Sequence, residues 1–279
     1  MVNHHGHCLC GACTWLHPGP QKAGLMCHCD ECRRGVAGAF AAVQGYGPDD
    51  MSVTGPWKDY KHTPESSCGF CTICGTRFWF RSSLWSGDYY INVGFMTNAH
   101  QYTPDRHVMT DHKAPWVNIE DDIENQGSFS MPPPGTPDTK PQTDTGQDTM
   151  SGACLCGQVT WESDGDILWA GHCHCDTCRR ACGAPFASFF GVARNSVTWT
   201  GQMTEFKSSD GQVSRKFCSV CGTHMTYENA IWPDETHLYA ASLKNPDHFK
   251  PTAHYHYGER LSWVKLDTHL EKHQGSADA

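Results

Sequence analysis

No run in this chain approaches the roughly eighteen consecutive apolar residues that a membrane-spanning helix needs, so no membrane partner is expected. The first residues, Met1 to His7, have neither a cationic segment nor an apolar one, and a secretory leader is therefore not expected either. A reducing, cytoplasmic location follows as the expectation. Long Lys/Arg runs are also missing, and the formal net charge of −9 offers no basic footprint, which argues against nucleic acid as a partner. Finally, no stretch keeps a helical period, so helices are not expected to carry the fold.

Cysteine, by contrast, is plentiful. The chain has 17 cysteines in 279 residues, an odd number, and most stand in tight clusters. In a reducing compartment such clusters read as metal sites rather than disulfides. With 10 Trp, 12 Phe and 9 Tyr, the chain has the bulk to fill two cores of ordinary size.

The clusters recur because the chain is a tandem duplication. An offset of 146 carries Cys8 onto Cys154, Trp15 onto Trp161, Cys27 onto Cys173 and Phe40 onto Phe186. After one inserted residue the offset becomes 147, carrying Phe70 onto Phe217, Cys74 onto Cys221, Pro104 onto Pro251 and Trp116 onto Trp263. Aromatic, Gly and Pro positions align along with the cysteines, which composition alone would not produce. The repeats are assigned to residues 5–120 and 151–267. Residues 121–150, with Pro132, Pro133, Pro134, Pro137 and Pro141 among polar residues, read as a linker, and 268–279 as a polar tail. Within the second repeat, residues 158–162, 187–191, 196–200 and 237–241 are β-branched or aromatic runs bounded by turn formers. The expected fold class is all-β, two tandem zinc-bound domains, with at most a short helical turn after each cysteine-rich loop.

Each repeat divides its cysteines into four and three. Cys8 and Cys10 with Cys71 and Cys74, and likewise Cys154 and Cys156 with Cys218 and Cys221, supply the two-plus-two set that closes a tetrahedral structural zinc. Cys27, Cys29 and Cys32, and again Cys173, Cys175 and Cys178, form triples spaced i, i+2 and i+5. Three protein ligands leave a fourth position for water or substrate, as in catalytic zinc sites, unless a histidine such as His28 or His174 fills it. Four zinc ions per chain are expected. Three thiolates make zinc a poor generator of hydroxide but suit it to hold a substrate thiol as its thiolate, so the chemistry expected is the making or breaking of a carbon–sulfur bond.

The order Gly-x-Cys-x-Cys-Gly, then Cys-His-Cys-x-x-Cys-Arg-Arg with Gly183-Ala184-Pro185-Phe186, then Cys-x-x-Cys-Gly-Thr and a late Trp-Val, resembles the glutathione-dependent formaldehyde-activating enzyme family, which includes centromere protein V. The resemblance covers both repeats nearly end to end. It implies a β-tent fold, a structural zinc on each paired set, a second zinc on each triple, and glutathione as co-substrate in a carbon–sulfur lyase acting on a small-molecule thiol adduct. A non-catalytic binding module with all its zinc sites structural is the alternative, since the centromere relative shows that course.

The repeats are not equivalent. The first has Ala37-Gly38-Ala39-Phe40 where the second has Gly183-Ala184-Pro185-Phe186, so the second is expected to be the more active. Arg179 and Arg180 are candidates for binding a substrate carboxylate, weighed evenly against a structural role. Cys13, Cys68 and Cys182 lack counterparts in the other repeat and read as ordinary thiols.

Overall fold

A computed structural model describes residues 4–49, 51–128 and 149–276. The all-β expectation holds. Each repeat contains a three-stranded and an eight-stranded sheet, with the same strand order in both copies. In the second repeat the large sheet runs Met203–Lys207, Val213–Cys218, His224–Asn229, Glu235–Tyr239, Ala187–Ala193, Trp169–Cys173, Ala253–Tyr255 and Glu271–Lys272. Its first six strands are antiparallel, and Ala253–Tyr255 then joins Trp169–Cys173 in parallel. The small sheet pairs Met150–Ala153, Thr160–Ser163 and Val197–Thr200. The buried Trp161 and Phe190, facing one another at 6.0 Å, show why the strands alternate as they do: one face of each sheet is committed to the core.

The helices are longer than the single turn expected. α1 (Asp30–Val36) and α2 (Asp176–Cys182) each follow a cysteine triple. Cys29 and Cys175 are their N-caps, each sulfur accepting from the backbone N–H three residues on, so the metal loop and the helix start are one device. Where α2 ends at Gly183 with φ of 80°, α1 ends at Ala37 with φ of 48°, a left-handed conformation that a Cβ disfavours.

Sheet pairing extends past the expected borders of the repeats. Glu124–Gln126, in the stretch read as linker, pairs in parallel with Arg106–Val108, and Glu271–Lys272, in the stretch read as tail, pairs with Ala253–Tyr255. Both are edge strands with exposed side chains, and hydrogen bonding from one side is what holds them. The prolines at 132–134, 137 and 141 lie outside the described residues.

The two repeats share a single core, packed about a pseudo-twofold axis. Phe40 and Phe186, equivalent residues, meet edge to face at 5.9 Å. Trp116 packs on Phe249 and Trp263 on Tyr102, which are symmetry-related pairs. Gly75, φ of 74°, is overlain by Phe217, and Gly222, φ of 76°, by Phe70; a Cβ on either glycine would fall 2.6 or 2.5 Å from the ring. α1 reaches the other repeat through Arg34, whose guanidinium donates to the carbonyls of Ala153, Ser242 and Leu243 at 3.0–3.1 Å. The equivalent Arg180 of α2 donates to the carbonyl of His7 at 3.2 Å.

Candidate metal centres and the cavity beside one of them

The sulfurs come together as the spacing predicts. Cys8, Cys10, Cys71 and Cys74 form one group, Cys154, Cys156, Cys218 and Cys221 a second, and the two triples a third and fourth, with every sulfur within 4.8 Å of the others in its group. All seventeen cysteines are free thiols rather than disulfides. Cys8 and Cys10 lie 3.4 Å apart, Cys10 and Cys71 3.8 Å, Cys154 and Cys156 3.5 Å, and Cys156 and Cys218 3.7 Å. A tetrahedron with Zn–S bonds of about 2.3 Å has edges of about 3.8 Å, so the residues present fit the ion.

Local backbone geometry aims these sulfurs. The N–H of Cys13 donates to Cys8 Sγ at 3.2 Å and that of Val159 to Cys154 Sγ at 3.3 Å, while the hydroxyls of Thr76 and Thr223 contact Cys74 Sγ and Cys221 Sγ. Such donors stabilise thiolate charge. The bare sulfurs of the second triple make the same point: hydrogen bonds from Cys173 and then Cys178 drive Cys175 far below the usual thiol range, and hydrogen bonding to Cys175 and then Cys178 drives Cys173 well above it. Three thiolates coexist there only around a cation.

Neither His28 nor His174 completes its triple. Their Nε2 atoms are engaged by His107 at 2.8 Å and His254 at 3.0 Å, and among the described residues each triple gathers no fourth ligand. Burial, followed by the neighbouring His107, pushes His28 down to about 3, so it is a neutral imidazole; burial followed by His254 also holds His174 well below its ordinary value. Beyond them, His107 contacts Asp121 at 3.1 Å, and His254 the carbonyl of Asp267 at 3.0 Å. Phe40 and Phe186 pack against His28 and His174 with tilted rings, each at 5.1 Å, so a chain of rings links the two triples through the pseudo-twofold axis.

Against this frame the chain matches the model of the glutathione-dependent formaldehyde-activating enzyme family twice, over residues 3–112 and 149–259. The chain belongs to that family. A further match is to an uncharacterized lyase of Schizosaccharomyces pombe, 32% identical over 84 residues, covering 29% of this family member and 61% of that protein. The chain thus spans about three fifths of that curated relative. A crystal structure of a Rhodobacter sphaeroides protein aligns with 34% of the chain and 87% of its own length, at 25% identity and a TM-score of 0.30.

What distinguishes the second triple in this family member is its surroundings. Cys173, Cys175 and Cys178 all line a cavity of about 1060 Å³, which also takes in Leu9 and Cys10 from the first repeat. Arg179 and Arg180 do not line it. Arg179 is buried, donating to the carbonyls of His174 and Glu259 and paired with Asp176; Arg180 is held by Asp176 at 2.8 Å and by His7 of the other repeat. Their geometry supports the structural side of the balance. The arginine that does line the cavity, Arg215, went unnoticed in the sequence. Its equivalent is Cys68, since Arg215 pairs with Tyr227 across the sheet as Cys68 pairs with Phe80. Cys68, Cys13 and Cys182 are buried, outside all four clusters. Around the first triple the side chains differ again: Glu31 and His62, paired at 2.8 Å, stand where the second repeat has the cavity-lining Thr177 and Ser208. No helix among the described residues is long and apolar enough to cross a membrane.

Proposed function

We propose that the chain is a zinc-dependent carbon–sulfur lyase, joining or releasing an aldehyde and a thiol such as glutathione, with the second repeat's triple as the reacting centre. The observation that carries this reading is that Cys173, Cys175 and Cys178 form a three-sulfur site on the wall of a large cavity, with no fourth ligand among the described residues. A zinc ion there would supply a Lewis-acid position that favours the thiolate form of a bound thiol over the thiol. The protein's own side chains do the rest. The backbone N–H of Cys178 and the Thr177 hydroxyl contact Cys175 Sγ at 3.4 and 3.2 Å, fixing its direction and tempering its charge. The His174–His254 pair, anchored on the Asp267 carbonyl, holds the loop between Cys173 and Cys175 against the sheet.

The first repeat supports the second rather than duplicating it. The Glu31–His62 pair stands beside its triple, and its cluster reads as a metal site that maintains the fold. The family match and the lyase name of the yeast relative support the same class of activity. Incubation of the zinc-loaded protein with glutathione and a panel of aldehydes, followed by mass spectrometry and rate measurement against a protein-free control, tests the reading. Adduct formation or loss no faster than the control for every aldehyde would leave the chain a zinc-bound binding module.

A further inference from the structure

The cavity beside the second triple is far larger than a one-carbon aldehyde requires. At about 1060 Å³ it reaches the upper end of the roughly 300–1,000 Å³ typical of small-molecule sites. One wall is a continuous aromatic surface. Trp169 meets His237 edge-on at 4.6 Å, Tyr227 stacks on His237 at 5.4 Å, and Phe189 lies 5.7 Å from Tyr227. These rings are held in place: Trp169 Nε1–H donates to Glu235 at 3.0 Å, and Asn229 donates to the Tyr227 hydroxyl at 3.0 Å. In the first repeat the positions of Trp169 and Phe189 hold Ala23 and Val43, while those of Tyr227 and His237 hold Phe80 and Tyr90, so two of the four rings are particular to the second repeat.

Arg215 stands at the end of that wall. It is 4% exposed, its guanidinium lies over the Tyr227 ring at 5.0 Å, and its Nε has no hydrogen-bond partner. A buried guanidinium on the cavity wall, beside the ligand sulfur of Cys178, is suited to an oxygen that gains negative charge during reaction. The first repeat has Cys68 at this position.

We propose that the cavity takes the thiol adduct of an aryl aldehyde, its ring against Trp169, Phe189 and Tyr227 and the oxygen of its former carbonyl facing Arg215. The inference rests on the carbon–sulfur reading of the triple and narrows it to a substrate class. In the cleavage direction the carbon–sulfur bond breaks and its electron pair leaves with sulfur. The hydroxyl oxygen's pair forms the carbonyl, and its proton passes to water at the cavity mouth and returns to sulfur when the thiol is released. Thiol and aldehyde are the only products, with no oxidant or reductant. Arg215 opposes the negative charge that the oxygen gains as its proton departs.

Inert thioethers separate recognition from turnover. S-(1-naphthylmethyl)glutathione, S-hexylglutathione and S-methylglutathione are titrated into the zinc-loaded full chain by calorimetry. The naphthylmethyl compound is expected to bind about tenfold tighter than the methyl one, as two aromatic contacts would give, and severalfold tighter than the hexyl one. Phe189→Val and Trp169→Ala, which install the first repeat's residues, should each remove a large part of that preference. Equal affinity for the hexyl and naphthylmethyl compounds overturns the aryl assignment, and equal affinity for all three overturns the cavity as the binding site. Arg215→Gln should leave thioether affinity within twofold and slow exchange of a benzaldehyde–glutathione adduct by about 10²-fold, the usual effect of losing one oxyanion donor. Should that variant melt early, Arg215→Lys keeps the charge, and an unchanged rate in a folded variant without the Arg215 fork would remove it from the site. A naphthylmethyl preference without turnover of any aldehyde would sink the lyase reading and leave recognition standing; turnover of formaldehyde alone, without that preference, would do the reverse.

Discussion

Arg34→Met should destabilise the protein more than the equivalent Arg180→Met. Arg34 donates to three carbonyls of the other repeat, at Ala153, Ser242 and Leu243, and Arg180 to one, at His7; each also pairs with the aspartate four residues before it, at 2.7 and 2.8 Å. A hydrogen bond to a charged group contributes about 1.5–3 kcal/mol, and three bonds from one guanidinium are not additive, so about 3–5 kcal/mol is expected for Arg34→Met. Arg180→Met, which loses one such bond, should cost about 1.5–3 kcal/mol. At about 2–4 °C per kcal/mol for a chain of this size, the melting temperature falls by roughly 6–20 °C in the first case and by about half as much in the second. Differential scanning calorimetry on zinc-loaded protein, with metal content checked for both variants, provides the comparison. Because the repeats share one core, the transition should also stay single. Two separate transitions in Arg34→Met, or equal shifts in the two variants, would refute the view that the repeats fold as one body clasped mainly from α1.

Elemental analysis of gently purified protein should give four zinc ions per chain; Cys218→Ala should lose one and with it much of the stability, while Cys178→Ala should lose one and stay folded. Circular dichroism melts of the two variants check the division, and equal damage would contradict it. Gly222→Ala should destabilise by several kcal/mol, since the new Cβ would fall 2.5 Å from the Phe70 ring at a φ of 76°; a melting point within 2 °C of the parent protein, at about 2–4 °C per kcal/mol, would show that the interlock yields. Burial pushes the Asp267 carboxyl up to about 6, so its ionised form costs stability above that pH, and the cost fades as the pH falls toward the unfolded value. Asp267→Asn, which retains an acceptor for the Asn118 N–H and suits a φ of 47°, should therefore stabilise by roughly 1–3 kcal/mol at pH 7.5 and by about half as much at pH 5. An equal gain at both pH values, measured by thermal melts, would exclude the titration as its cause.

The duplication and the four clusters were legible because metal ligands sit close in sequence and repeat with the frame. The strands at 187–193 and 235–239 were legible for a related reason: β-branched and aromatic side chains crowd the face that meets the core. Those at 124–126 and 271–272 were not, since an edge strand held by backbone bonds alone needs no apolar pattern. The Arg-Arg pairs drew attention as ligands for a carboxylate, yet Asp30 and Asp176, three and four residues earlier, mark them as helix-surface ion pairs, and that spacing was there to be read. Arg215 carried a signal too. Cys68 stood out as a cysteine without a counterpart, and asking what replaced it leads to Arg215. The packing of Gly75 and Gly222 against the phenylalanines of the opposite repeat had no local trace, because it arises between segments more than 140 residues apart.

The central claim, that the second triple alone is the reacting centre, is tested most directly by exchange NMR with a ¹³C-labelled aldehyde and glutathione at equilibrium, where no assumption about reaction direction enters. The zinc-loaded protein should accelerate exchange between free aldehyde and thiol adduct. Cys178→Ser should return the exchange to its spontaneous rate, and Cys32→Ser, if folded and loaded at the remaining sites, should retain much of the acceleration. Loss in Cys32→Ser with Cys178→Ser unaffected, or an exchange rate that the parent protein leaves unchanged, would contradict the account.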